Sequence, residues 1–274
     1  MIFEVTPGAA SSPVILHVPH ASRAITPEAR AGLLADDAAL AEELDHLTDA
    51  YTDVIARRAA PAASIRPWIF ENRWSRLVVD PERFPDDREE MRAVGMGAVY
   101  ASGFAGRKLR DPDPVRDEAL LRTHFRPYSA ALAGLVAARL AALGRAIIVD
   151  VHSYSTALLP YEIHRESARP PVCLGTDRDH TPGWLLTAAQ AAFPEYTLNT
   201  PFAGCYVPLD FHGTDPRVSS LMIEIRRDGY MTEPGGPPHA GLPRLAAALT
   251  RLIDSISGPA AEALRLPVRR SPAG

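Results

Sequence analysis

Ala146-Ile147-Ile148-Val149-Asp150-Val151-His152-Ser153 is the stretch whose reading decides the fold. Ala146–Val151 is the most apolar strand candidate in the chain, as expected of a central parallel strand covered on both faces. The polar residues at its end, Asp150 and His152, stand where a buried core has no use for them. Upstream, Val115–Leu143 has a helical pattern divided by Pro127, and Gly144 is the expected stop. Downstream, Pro171–Gly175 reads as a short strand, and Thr181-Pro182 opens another helix. Val218–Ile225 is a further strand and Leu242–Ile256 a final amphipathic helix.

Earlier in the chain, Val14–Val18 is a short apolar strand ended by Pro19, and Thr26-Pro27-Glu28 has the order of N-cap, first helical residue and first-turn acid. Asp36 to about Ala60 is helical, with a break expected near Asp45–Thr48. Trp74–Asp80 alternates as a strand, with Arg76, Val78 and Asp80 on one face. Pro81–Asp113 is loop-rich, and a loop of that length in a compact domain is functional or disordered. The alternation of strands and helices without a linker predicts one α/β domain over residues 1–274, a three-layer α/β/α arrangement, with 258–274 a partly ordered tail. No internal repeat is present.

The 274 residues are 46% hydrophobic and 23% charged, enough to bury a sizeable core, and the net charge of −4 leaves no footprint for nucleic acid. Cys173 and Cys205 are too few for a disulfide framework. The start lacks the features of a signal peptide, and no apolar run approaches the roughly 20 residues that span a bilayer. A cytoplasmic location is therefore expected, with no membrane partner.

In open α/β sheets ligands bind beyond the carboxyl ends of the strands. Four polar residues sit just past or near the end of apolar runs: His20, Arg83, His152 and Glu224. Two histidines and a carboxylate suit zinc with an open coordination position. His20 and His152 are the expected ligands, with Asp45 the chosen third and Glu43 and Asp49 its rivals. His17, three residues before His20, is expected to face the other way and pack. Asp150 shares the side of His152, as a group behind the ligand or a buried acid bonded to backbone. His46, His180 and His239 are expected at the surface, while His164 and His212 could line the cleft.

Glu224 lies between apolar neighbours, where a carboxylate is costly unless paired or functional. It either pairs with Arg226 or serves as the general base for a metal-activated water. Arg76, Arg83, Arg126 and Arg226 are candidates for a substrate carboxylate, Arg83 the best placed. His124 and Tyr128, one helical turn apart, are candidate pocket-lining residues.

These residues together resemble the N-formylglutamate amidohydrolase (deformylase) family. The matching stretches are Val18-Pro-His-Ala-Ser22, Leu44-Asp-His46, Ser75-Arg-Leu-Val-Val-Asp-Pro-Glu-Arg-Phe-Pro85, Arg126-Pro-Tyr128, Val149-Asp-Val-His-Ser153, Asn199-Thr-Pro-Phe-Ala-Gly204, and Ile223-Glu-Ile225 with Tyr230-Met231. The resemblance implies a phosphorylase/hydrolase-like fold related to zinc carboxypeptidases, and hydrolysis of an N-acylated acidic amino acid such as N-formylglutamate. It also implies His20, Asp45 and His152 as metal ligands, Glu224 as base, and Arg76 and Arg83 on the substrate carboxylates, and Asn199 joins the pocket-lining candidates. Two positions depart from the family pattern: Asp80-Pro-Glu-Arg83 replaces Asp-Leu-Asn-Arg, and Cys205 replaces a common glycine. The rivals are removal of another acyl group, a small carboxypeptidase, a non-haem iron oxygenase using the same ligand types, and a non-catalytic binding relative.

Overall fold

In a computed structural model, residues 1–163, 165 and 168–258 are described. The expected tail after Gly258, and His164, lie outside the described residues. Seven strands form one sheet: β1 (Phe3–Thr6), β2 (Val14–Val18), β3 (Trp68–Asn72), β4 (Ala146–Tyr154), β5 (Val172–Gly175), β6 (Tyr196–Leu198) and β7 (Val218–Arg226). Their order is β1-β3-β2-β4-β7-β5-β6. The inner strands β3, β2, β4 and β7 run parallel. β1 is antiparallel to β3, and β5 is antiparallel to β7.

β4 lies at the centre, as its apolar run requires, and is buried along its whole length. Alternate residues face different layers. Ile147, Val149 and Val151 join Leu16, Leu221 and Ile223 against α3 (Thr52–Ala62), α6 (Gly183–Ala192) and α7 (Gly241–Ser257). Ile148 and Ile15 pack instead under α5 (Arg126–Leu143) through Tyr128, Leu132 and Val136. Helices thus cover both faces, and the domain is a three-layer α/β/α sandwich. Each fully buried Leu or Ile in these layers is worth about 2–5 kcal/mol against truncation to Ala. Among the described residues, no helix is long and apolar enough to cross a membrane.

Several boundaries moved for physical reasons. Trp74–Asp80 is not a strand; the strand in this region is β3, upstream at Trp68–Asn72. Leu77, Val78 and Val79 are all buried, so their apparent alternation does not separate two faces. Leu77 enters one apolar cluster, with Leu44 and Leu47, while Val78 and Val79 enter another with Leu120 and Phe125. The helical stretch over 36–60, with its break expected near Asp45–Thr48, is two helices, α2 (Asp37–Leu47) and α3, and the break falls at Thr48–Tyr51. Tyr51 there takes a left-handed φ of 67°, which ends any continuous helix. Pro127 lies in the first turn of α5, immediately after a π-helical turn over Leu121–Phe125 that follows α4 (Pro114–Leu120).

The long segment after Pro81 is ordered. A 3-10 turn at Glu90–Val94 and the side chains of Met91, Met96, Tyr100, Phe104 and Leu109 form an apolar cluster with α2. Buried Arg110 ties it down through the carbonyls of Tyr100 and Leu77. This loop is positioned to carry Glu82, Arg83 and Glu90 to the sheet's carboxyl edge.

Candidate metal centre and active site

β2 delivers His20 just past Pro19, while β4 presents His152 two residues before its own end, since the strand runs on to Tyr154. The break between α2 and α3 supplies the third group. There the Asp49 backbone N–H donates to the carbonyl of His20 at 3.0 Å, which folds the Asp49 carboxylate back over the two imidazoles. His20 Nδ1 and His152 Nδ1 are 3.3 Å apart, and Asp49 Oδ2 lies 3.6 Å from the first and 3.1 Å from the second. Ligands held about 2.0–2.2 Å from a tetrahedral zinc are separated from one another by about 3.3 Å. The three atoms therefore fit a divalent metal, and two imidazoles with one carboxylate are the donor set zinc takes at catalytic sites.

Asp45 is not brought to this cluster. Its carboxylate pairs with Arg23 at 2.7 Å, and Asp49, one of its rivals, occupies the position. Glu43, the other rival, is fully buried, where it accepts the Phe104 N–H and meets Arg107. Asp45 and Asp49 would share a face of one unbroken helix; the turn at Thr48–Tyr51 separates them.

Each of the three groups has a partner behind it. His20 Nε2 bonds Asp80 Oδ1 at 2.9 Å. His152 Nε2 lies 3.1 Å from Asp150 Oδ1 and 3.2 Å from Glu82 Oε2. Asp49 Oδ1 accepts from Arg227 at 3.0 Å. Asp80 is itself held by Arg76 and by the Tyr100 hydroxyl. Asp150 also bonds His17 Nδ1 at 2.9 Å and accepts the Tyr206 N–H, so both readings of this acid apply. His17 packs among Phe70, Tyr128 and Tyr206 as expected, yet it continues the polar chain to the Tyr128 hydroxyl.

Burial and the Arg76 charge pull the pKa of His20 down, but Asp80 and Asp49 raise it above its ordinary value overall. His152 is likewise held well above the usual range despite its burial, through Asp150 and Glu82. Asp80, although buried, is held well below the carboxylate range, chiefly by Arg76 and His20. A cluster that attracts protons so strongly at its histidines also attracts a metal cation.

Glu224 sits directly opposite His152 in the β4–β7 register. It does not pair with Arg226, which turns to Asp228 at 2.8 Å. Its Oε2 is buried without a hydrogen-bond partner, and burial raises its pKa to about 7 against the opposing charge of His152. The carboxylate faces a cavity of about 220 Å³ that it shares with His20, Asp49, His152, Arg76 and Arg83.

Other expected residues lie elsewhere. Arg126 pairs with Glu118 at the surface. Tyr128 is fully buried on His17, and His124 lies beside it in a small side crevice. His212, on the wall of an adjoining cavity, stacks on His180. Asn199 bonds Thr176, leaving its neighbours Pro201 and Phe202 to line the main cavity. His239 is exposed and His46 half-buried on Phe104. His180 departs from expectation: it is buried, bonded to the Val218 carbonyl and accepting the Gly213 N–H. Sequence reasoning missed Arg227, which follows the last residue of β7 and turns inward with the 3-10 turn Arg227–Gly229. Its only signal was adjacency to the strand carrying Glu224.

A family model for N-formylglutamate amidohydrolase matches residues 12–231. The chain is similar to an N-formylglutamate deformylase of Pseudomonas aeruginosa, 26% identical over 231 residues that cover 81% of this chain and 83% of the relative. It also resembles the crystal structure of an N-formylglutamate amidohydrolase from Ralstonia eutropha, with a TM-score of 0.78 and 20% identity over 93% of this chain and 97% of the other. A gene product of Agrobacterium tumefaciens aligns with a TM-score of 0.66 and 18% identity, over 97% of this chain and 96% of the other. These two likenesses support the three-layer fold.

Two outcomes follow from the geometry. Asp49→Asn should weaken zinc binding by about 100-fold or more in a chelator competition titration, while Asp45→Asn leaves it within about threefold. Equal loss in both would return Asp45 to the site. In metal-free protein, the folded pKa of Glu224 near 7 lies above its ordinary 4.5. The stability it contributes is whole below about pH 4.5 and is lost as pH rises through about 7. Glu224→Gln should therefore be more stable to urea than the parent by about 3 kcal/mol above pH 7, with no difference at about pH 4.5. A difference independent of pH would sink the assignment of a buried, protonated carboxyl.

Proposed function

Because the chain belongs to the N-formylglutamate amidohydrolase family, we propose that it is a metal-dependent amidohydrolase that removes a formyl or similar small acyl group from an N-acyl amino acid. N-formylglutamate, the compound for which the family is named, is the reference substrate. The observation that carries this reading is the position of Glu224. An unpartnered carboxylate faces the same cavity as the converging atoms of His20, Asp49 and His152.

His20, Asp49 and His152 would hold zinc. When bound there, zinc supplies Lewis acidity, polarising the scissile carbonyl and bringing the pKa of water from 15.7 down to about 7. The chain's own groups do the rest. Glu224 takes the proton of the attacking water, and a pKa near neutrality suits a group that must accept and then return it. The same carboxyl delivers that proton to the leaving nitrogen as the C–N bond breaks, giving a carboxylate and a free amine. Asp80, Asp150 and Arg227 keep the ligand side chains in one orientation throughout. Arg83, on the cavity wall, binds the carboxylate of the amino acid and sets the amide against Glu224.

Purified protein should contain close to one divalent metal per chain by mass spectrometry and should release formate from N-formyl amino acids. Glu224→Gln should keep that metal and lose about a thousandfold in kcat. Turnover within about tenfold of the parent would remove Glu224 from proton transfer. An active protein without metal, or no amide cleavage across formyl, acetyl and succinyl compounds, would overturn the reading as a whole.

A further inference from the structure

The cavity in front of Glu224 is rich in carboxylates. Six carboxylate side chains line it, Asp49, Asp80, Glu82, Glu90, Glu162 and Glu224, against three arginines, Arg76, Arg83 and Arg227. Two of those arginines are already committed. Arg76 directs both Nε and a terminal nitrogen at Asp80 Oδ2, at 3.1 and 2.7 Å. Arg227 is buried and spends its donors on Asp49, on the carbonyls of His46 and Ser153 and on the Ser153 hydroxyl.

Arg83 differs from both. Its nearest carboxylate oxygens are 3.6 Å away on Asp80 and 3.5 Å away on Glu89, and its buried Nε has no hydrogen-bond partner. Among the described residues it is the cavity arginine with a buried nitrogen left without a partner. One fork serves one carboxylate.

Beside it stands Glu82. This carboxylate is turned inward, 3.2 Å from His152 Nε2 and 3.4 Å from His17 Nδ1. It forms part of the wall between the main cavity and an adjoining one of about 240 Å³; Glu82, Arg83, Ala203 and Met222 belong to both. The second cavity adds Asp150 but no arginine, and is otherwise largely apolar, with Phe84, Phe125, Val207 and Leu209. The lining of the main cavity also includes Met91, Tyr154, Tyr161 and Phe202. A second substrate carboxylate entering either cavity beside Arg83 thus meets Glu82, whereas an uncharged side chain meets apolar lining.

We propose that the substrates are N-acyl amino acids carrying a single carboxylate, bound by Arg83, with an uncharged side chain, and that Glu82 excludes a second carboxylate. This rests on the amidohydrolase reading and narrows it. Like charges brought together across an interface discriminate against the wrong partner by several kcal/mol, so the exclusion is a repulsive device rather than a missing contact.

The test compares kcat/KM of the metal-loaded enzyme for N-formyl-L-glutamate, N-formyl-L-glutamine and N-formyl-L-leucine near neutral pH. Glutamine matches glutamate in shape and lacks only the charge. The glutamine and leucine compounds should exceed the glutamate compound by about tenfold or more. Glu82→Gln should shrink the glutamine-to-glutamate ratio by about tenfold, mainly through the KM of the glutamate compound. A residue that merely supported the histidines would lower all three substrates together and leave the ratio unchanged. An enzyme that prefers the glutamate compound, or a ratio that Glu82→Gln does not move, overturns the proposal while leaving the amidohydrolase reading in place. If no compound is cleaved, that reading falls, and calorimetric binding of the same three compounds to the metal-loaded protein still measures the ratio and decides the role of Glu82.

Discussion

The structure turns on the forced proximity of three buried donor atoms. Two imidazole nitrogens at 3.3 Å cannot both point lone pairs at each other without a cation or a proton between them, and Asp49 adds a third acceptor to the same point. Groups in that arrangement repel unless something positive sits among them. The protein holds them there from three separate elements, β2, β4 and the turn after α2, so the arrangement is set by the fold and not by any one local sequence. Tyr51 in the left-handed region, the Asp49 N–H on the His20 carbonyl and the parallel pairing of β2 with β4 all serve that convergence.

The layer of charge behind it follows. A buried histidine that must present one nitrogen forward needs negative charge behind the other: Asp80 bonds His20 Nε2, and Asp150 and Glu82 stand 3.1 and 3.2 Å from His152 Nε2. Those acids in turn would be costly if left alone. Asp80 is answered by Arg76 and Tyr100, and Asp150 by His17, which ends on Tyr128. The network is closed by a guanidinium on one side and a phenol on the other. This explains why so many ionisable side chains are buried at one edge of the sheet with so few unsatisfied atoms. Of the atoms left without a partner, Glu82 Oε1, Arg83 Nε, His152 Nε2 and Glu224 Oε2 belong to residues that line the cavity.

How far the sequence revealed this depends on the kind of signal. Val14–Val18, Ala146–Val151 and Val218–Ile225 were legible because a strand covered on both faces is apolar at nearly every position, and a polar residue at its end stands out. His20, His152 and Glu224 were found that way. Trp74–Asp80 misled because residues buried in two different clusters mimic the alternation of a strand. Asp45 and Asp49 were inseparable by helical spacing, and only the turn at Thr48–Tyr51 separates them. Arg227 was hidden because β7 ends at Arg226, so the alternation that locates Glu224 fails one residue too early. Paired surface ions such as Arg126 of α5 with Glu118 of α4 carry no pattern at all, since the partner lies eight residues away on another helix.

Glu82 shows where sequence and structure had to be read together. As a departure from a motif it could have been a solvated exchange with no consequence, because an acid beside an arginine is an ordinary surface pair. Its surroundings remove that reading: the carboxylate is turned inward, 3.2 Å from His152 Nε2 and 3.4 Å from His17 Nδ1, while Arg83 Nε keeps no hydrogen-bond partner. One substitution thus has two opposed electrostatic effects. It strengthens the field that draws a cation to the histidines, and it weakens the site's tolerance for a second negative charge. A fold that keeps its metal-binding geometry while changing one acid at the rim alters what it can bind without altering how it can react.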